Sequence, residues 1–577
     1  MRDAPNAAAD ITSRFLSHFW HTWPVTATFA GRSDWDAQLP DWSPDGLSAA
    51  AAQWAALAAD ARHARGPQAV PALHTPAPTS RSEADLLCVE AAAMLMTEET
   101  ATRHGPGANP VYATGEIAFG LLSVLGRDPD GSPALAADAA ADAAARLLGA
   151  GELLEGVRES LGTRPVPTTW LARARRECDA IHRLLDEGIP EWIRVARPAD
   201  PWGAALRKAS AAAKPAVQAF RHWLDTEVPV ASSRTTMAGA DAMDRRLRLA
   251  HWESRPSDVL LSEARRQLVD AVAEWRAMAD AASPAGWPGV LDALRADAPT
   301  RDQYLPTLQR RWNADRQFAA DHALVTWPDD LPVQFAETDR WARVASADLY
   351  YLNYRCPPPY RRRATHRHQV PFLPADDAAA TAVLHTMHRA TISLNHVIHH
   401  AGLGHHVQNW HAARCPSPIG QMAAVDGATR IALPLGGTVA EGWACYAVDL
   451  VDEYGGLDAL ERVVQQHTRV RLLCRAVADL ALHTGEWTKA DVTAHFTREA
   501  AMSPEAAFGE TVRTALFPGA AVMYWLGTSG FHALRARYAA RFPSLRAFHD
   551  AVLSYGAIPV PMIAQLMAHE SPTPTRR

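Results

Sequence analysis

Paired cysteines are missing from this chain of 577 residues. Its six cysteines, at positions 88, 178, 356, 415, 445 and 474, are scattered and form no Cys-x-x-Cys. That pattern argues against a disulfide framework and against a thiolate zinc site, and it leaves reduced, mostly buried thiols as the expectation. Long apolar runs are missing too. No segment offers about eighteen apolar residues in a row, and the first twenty residues contain no basic stretch followed by an uninterrupted apolar one. The sequence therefore predicts a soluble, cytoplasmic protein with no membrane partner. Charge of one sign is scarce: the formal net charge is -6, the pI is near 6.5, and no run of five like charges occurs. Nothing electrostatic asks for nucleic acid. Alternating strand patterns joined by Asn-Gly or Asp-Gly are nearly absent, so any sheet should be small. There is no fixed-period repeat, no Gly-x-Ser-x-Gly, no phosphate loop and no dinucleotide glycine pattern.

What is present is helix. Hydrophobic residues make up 48% of the chain, enough for a large core. Apolar residues recur at three- and four-residue spacing over 46–65, 82–100, 134–160, 167–195, 203–226, 257–283, 376–400, 437–452, 456–483, 488–501, 519–541 and 544–555. The alanine-rich stretch from Ala134 to Leu154 reads as a closely packed helix, because alanine has the best helix propensity. Thr75-Pro76-Ala77-Pro78, Trp327-Pro328-Asp329-Asp330 and Cys356-Pro357-Pro358-Pro359 read as connections. The expected fold is all-α, a large single-chain helical bundle with little or no sheet. It forms one domain over 1–577, or two helical lobes of about 1–330 and 331–570 with the active cleft between them. The tail 571–577, SPTPTRR, is expected to be disordered.

The segment from Asn395 to Gln408 carries five histidines within eleven residues: His396, His399, His400, His405 and His406. Imidazole is the usual nitrogen ligand of zinc, so the clustering is a metal signal. Two pairings are open. His396 and His400 are four apart and share a face of an unbroken helix. His399 and His405 are six apart and converge only if the helix bends or ends between them, which Gly402 and Gly404 permit. Against both stands the plainer alternative of histidines that face solvent or are satisfied in the core. About thirty-five residues later, Glu441 opens an apolar helix, with Thr438 as its candidate N-cap. Two histidines and a glutamate are a frequent zinc set, although a glutamate near a helix N-terminus is also explained by the helix dipole.

These residues resemble a bacterial family, domain of unknown function 885, whose members look like helical zinc metallopeptidases. The family pattern His-Glu-x-x-Pro-Gly-His-His-x-Gln appears here as His399-His400-Ala401-Gly402-Leu403-Gly404-His405-His406-Val407-Gln408. Its Glu-Gly-Trp-Ala-x-Tyr-Ala-Glu appears as Glu441 through Val448. Further matches are Arg475, Asp479 and His483, then Trp487, Arg513, Pro518-Gly519, Tyr524-x-x-Gly527, Phe548 to Leu553 and Gly556-x-x-Pro559. Near the start, Pro24 to Gly31 and Leu39 to Ser43 also match, so the likeness spans nearly the whole chain. The resemblance implies zinc held by His399, His405 and Glu441, with His396 left as a supporting or spare residue. His406 is assigned to substrate on the same basis.

The chain departs from the family at the site itself. His400 stands where the family has the glutamate expected to take a proton from metal-bound water, Leu403 replaces a proline, and Val448 replaces a second glutamate. An imidazole in that position is neutral or cationic; it acts as acid or base, or binds the metal itself. Tyr524 is a candidate donor to an oxyanion. Asp479 and His483, four apart, form a candidate carboxylate–imidazole pair. Arg475 and Arg513 are candidate grips for a substrate carboxylate. The basic run Arg361 to His368 reads as a solvated loop, or as a contact for an acidic substrate, cofactor or carrier protein.

The function expected is that of a metal-dependent hydrolase acting on a small peptide or amide. Two rivals stand beside it: a non-proteolytic enzyme on the same scaffold, performing elimination, ring closure or acyl transfer on a small molecule, and a catalytically silent binding protein.

Overall fold

Helices dominate the protein in a computed structural model, which describes residues 4–127, 133–198, 201–232, 236–349 and 355–569. The all-α expectation holds. Among the described residues the only sheet is two short parallel strands, Val333–Glu337 and His366–Val370, with Val333 opposite His366 and Phe335 opposite His368. The SPTPTRR tail and Tyr350 to Tyr354 lie outside the described residues. No described helix is long and apolar enough to cross a membrane. The six cysteines are all free and buried.

Several helices begin where a small polar residue can accept a backbone N–H. Ser43, Ser80, Asn109, Ser503 and Ser544 do so at the starts of their helices, and Asp458 with Glu461 forms a reciprocal capping box before Ala459–Thr484. One long segment behaves differently from its periodicity. The stretch 376–400 is not one helix. Asp377–Thr386 ends at Met387, His388 then caps a new start by accepting the Thr391 N–H on its Nδ1 at 3.2 Å, and Ile392–Ala401 continues as a π-helix.

The main core draws on residues from Ala8 to Met567, so both ends of the chain pack into one apolar interior. Trp42, Trp54, Trp170 and Trp443 are among its largest fully buried side chains. Gly437–Glu453 and Met523–Tyr538 approach each other closely. A Cβ on Gly442 would fall inside contact distance of the Gly527 backbone, and one on Gly527 would fall inside contact distance of the Thr438 carbonyl. The two helices therefore cross backbone to backbone, which brings Glu441 and Tyr524 to the same cavity. Thr438 does not cap its helix, as its sequence position suggests. The helix starts at Gly437 without a side-chain cap, and the Thr438 hydroxyl instead accepts the Val560 N–H at 3.3 Å.

Filling that crossing should be costly. Gly442→Ala is expected to destabilise the protein by about 1–3 kcal/mol, the usual range for overpacking a tight interior. Urea unfolding measures this, and an unchanged midpoint would show that the helices part freely.

Candidate metal centre

The site forms where one helix ends and another begins. Within Ile392–Ala401 the hydrogen bonds close one residue wider than in an α-helix, and the same pitch carries into the turn: the Gly402 N–H reaches the Val397 carbonyl at 2.7 Å. Two glycines later the chain re-enters a helix, His405–Ala412. Three side chains from elsewhere clamp the turn. Trp312 Nε1–H donates to the Ala401 carbonyl at 2.7 Å, Trp443 Nε1–H donates to the Leu403 carbonyl at 2.9 Å, and the Asp315 carboxylate accepts the Leu403 N–H at 2.9 Å. The glycines are needed for closeness rather than for a positive φ. A Cβ at Gly402 would collide with the Asp315 carboxylate, and one at Gly404 with the His399 carbonyl.

The bend brings three imidazoles together. The His399 ring lies 4.7 Å from that of His405 and 4.7 Å from that of His400, and the His400 and His405 rings are 5.4 Å apart. One ring nitrogen from each lies within 4.8 Å of the others. From the neighbouring helix, Glu441 places Oε2 at 3.5 Å from Nε2 of both His399 and His405. That oxygen is buried and has no hydrogen-bond partner. Burial works to raise the Glu441 carboxyl, but His399 and His405 outweigh it and hold it well below the usual carboxylate range. Burial lowers the pKa of His399, and it lowers His400 well below the ordinary value, reinforced by the neighbouring histidines. A carboxylate beside three imidazoles, with His399 and His400 favoured in their neutral form, is a donor set suited to a transition metal.

These residues face a cavity of about 870 Å³ whose wall also includes His396, Arg475, Arg513 and Tyr524. Tyr524 accepts a hydrogen bond from Arg513 at 2.6 Å, and burial pushes its phenol above the ordinary range. The phenol's own proton is therefore kept, and the bond from Arg513 leaves it to be donated elsewhere. Arg475 grips Glu510 with two hydrogen bonds, of 3.0 and 2.6 Å, while its guanidinium carbon sits 4.9 Å from the centre of the Tyr524 ring. Burial works to raise Glu510, yet Arg475 holds it down to about 2. The two arginines thus brace the tyrosine from the cavity wall.

Three predicted residues stand elsewhere. Asp479 and His483 are fully buried beneath the wall and do not line the cavity. Asp479 accepts the N–H groups of Gly519, Ala521 and Val522 at 3.0, 2.9 and 2.9 Å, and His483 Nε2–H donates to the Thr514 carbonyl at 2.9 Å. Burial pushes Asp479 up to about 7 and His483 down to about 4. Their place is beneath the turn that launches the Tyr524 helix. His406 points away from the cavity, with Nε2–H donating to the Leu331 carbonyl at 2.8 Å. The basic run is a solvated loop only in its first part, where 361–365 are irregular and Arg362, Ala364 and Thr365 are exposed. Arg367 pairs with Asp339 through two hydrogen bonds, and His366 and His368 are buried on a strand. His368 packs beside the histidine-rich helix unforeseen, its ring 5.9 Å from His396 and 6.3 Å from His400. Its only sequence signal is the alternation His366-Arg367-His368-Gln369-Val370.

Removing the Asp479 acceptor should leave three buried N–H groups unsatisfied. Asp479→Ala is expected to cost about 3 kcal/mol or more, from roughly 1–3 kcal/mol per orphaned group. Chemical denaturation measures it, and a loss within the error of the method would show that the turn holds itself.

Two solved structures share this fold. One is described as "a putative lipoprotein of unknown function" from Shewanella oneidensis. It is 18% identical, with a TM-score of 0.71 over 97% of this chain and 99% of that one. The other, "the putative lipoprotein" from Colwellia psychrerythraea, is 15% identical, with a TM-score of 0.76 over 98% of this chain and 99% of that one. No curated protein matches. The model of one family, "Bacterial protein of unknown function (DUF885)", matches residues 24–567. With its fold and nearly all its length accounted for, the chain belongs to the bacterial family of domain of unknown function 885.

Proposed function

We propose that the protein is a metal-dependent, metallopeptidase-like hydrolase acting on a small peptide or amide, with zinc held by His399, His405 and Glu441. One observation carries the reading: Glu441 Oε2 is buried, lacks a hydrogen-bond partner, and stands 3.5 Å from two imidazole nitrogens. Ligand atoms around a tetrahedral zinc with bonds of about 2.0–2.1 Å are separated by about 3.4 Å, so these gaps have the length of a coordination edge. When bound, zinc supplies Lewis acidity to a carbonyl oxygen and to water.

The chain's own residues supply the rest. Tyr524, braced by Arg475 and Arg513, is available to donate its proton to an oxyanion developing in the cavity. The carbonyl of Asn395 only accepts, so the 2.6 Å contact from His400 fixes the proton on Nδ1 and leaves the lone pair on Nε2. On the hydrolytic reading with the ion held by His399, His405 and Glu441 alone, that nitrogen takes a proton from the attacking water.

A second reading has an observation of its own. Besides Glu441, the cavity wall carries only Glu99 and Asp426 as carboxylates among the described residues. Glu99 is committed to Arg430 and Arg246, and Asp426 accepts the Cys356 N–H. A wall this poor in carboxylates also suits elimination, ring closure or acyl transfer on a small molecule.

Protein purified without chelator is expected to carry close to one zinc per chain, lost in His399→Ala and in Glu441→Gln while the helical circular dichroism is kept. Elemental analysis finding no metal in the wild type would refute the reading. His400→Glu is expected to gain cleavage of short peptides over the wild type, and Tyr524→Phe to lower the resulting kcat by roughly 10²-fold, as loss of one oxyanion donor does. Mass spectrometry of peptide mixtures reads both. Six free, buried cysteines support a reducing, cytoplasmic location, and recovery in the membrane fraction would refute that placement.

A further inference from the structure

We propose that His400 is itself a metal ligand, so that the centre holds its ion with three imidazoles and one carboxylate. The inference rests on the metal-centre reading above and deepens it. In the family pattern the position of His400 belongs to a carboxylate that works beside the metal, whereas the structure gives this position the geometry of a donor to it. One nitrogen each from His399, His400 and His405 forms a mutual cluster within 4.8 Å, and these three alone do so among the described residues. The backbone explains how consecutive residues share one centre. They sit at the end of a π-helix, where each residue advances the turn by less than in an α-helix, and the rings of His399 and His400 come to 4.7 Å.

The orientation of His400 is set by its other nitrogen. Nδ1–H donates to the Asn395 carbonyl five residues back, at 2.6 Å. A ligating histidine is commonly held through its second nitrogen in this way, which fixes the tautomer and aims Nε2 at the ion. That bond too depends on the wide turn, because the carbonyl five residues back is the one a π-helix brings beneath the ring. His396, by contrast, lies on the far side of His400, 6.3 Å between rings, and is not part of the cluster.

Two consequences follow. His400 Nε2 is committed to the ion and is not available for proton transfer, which leaves Tyr524 as the cavity's proton donor and weights the chemistry toward reactions that need no carboxylate base. With three imidazoles, the site also prefers metals late in the divalent series over manganese or magnesium.

The test loads metal-free, full-length protein with one equivalent of Cu(II) and counts the coupled imidazoles by pulsed electron paramagnetic resonance. Three are expected in the wild type and in His396→Gln, and two in His400→Gln and in His400→Glu. Zinc affinity measured by competition with a chromophoric chelator is expected to fall by roughly 100-fold in His400→Gln and to hold in His396→Gln. An unchanged count and affinity in folded His400→Gln would overturn this proposal and leave the His399, His405 and Glu441 centre standing. A wild type that takes up no stoichiometric metal would overturn both.

Discussion

The polar centre depends on the hydrogen-bonded clamp around Ala401 to Leu403. A helix that stops inside an apolar bundle leaves carbonyls and N–H groups that water cannot reach, each worth roughly 1–3 kcal/mol if left unpaired. Here Trp312, Trp443 and Asp315 satisfy three of them from two other helices. The clamp therefore does two things at once. It makes a buried helix end tolerable, and it holds His399 and His405 on opposite sides of a bend whose geometry leaves no room for a Cβ. Trp443 lies two residues beyond Glu441, so the element that braces the turn also delivers the carboxylate. Position and support come from one helix.

A second buried network holds the opposite wall. Asp479 gathers three N–H groups of the turn before the Tyr524 helix, and Glu510 anchors Arg475 against the tyrosine ring. None of these contacts faces the histidines, yet each constrains where the phenol sits. The backbone crossing at Gly442 and Gly527 joins the two networks, since it lets the helix of Glu441 and the helix of Tyr524 approach as closely as their main chains allow. Precision at the cavity thus rests on groups outside it.

Much of this was legible in the sequence, for reasons that also explain what was not. Amphipathic helices such as Ala459–Thr484 and Ser257–Ala282 show themselves through periodicity. Pro110–Leu125 does not, because almost every side chain is buried and no polar face marks a period. The short helix His405–Ala412 carries too few turns to be distinguished from the loop before it. At the site, the spacing of His399 and His405 around two glycines pointed to a bend, and the matching motifs pointed to Glu441. The roles expected of Asp479, His483 and His406 rested on motif position and spacing, and these do not say which way a side chain faces. His406 follows His405 directly and so points to another side of the helix, toward Leu331. His368 reaches the cluster only through a parallel strand pairing, and nothing local in the sequence announces that pairing.

On the proposed metal-centre reading, the histidine at position 400 matters through charge. With a divalent ion, a site bearing Glu441 and a second carboxylate would be close to neutral, and an anion approaching it would meet no net attraction. Exchange of that carboxylate for a neutral imidazole leaves an excess positive charge in a cavity already walled by Arg475 and Arg513. Low dielectric magnifies the difference. On that reading, a neutral imidazole at position 400 would make the centre more receptive to an anionic donor from the substrate than a carboxylate there would. A small molecule bearing a carboxylate would gain from the ion what a neutral amide would not. On the proposed metal-centre reading, an imidazole at position 400 would then bear on what the site prefers to hold as well as on how it moves protons, while the bundle that supports the site stays the same.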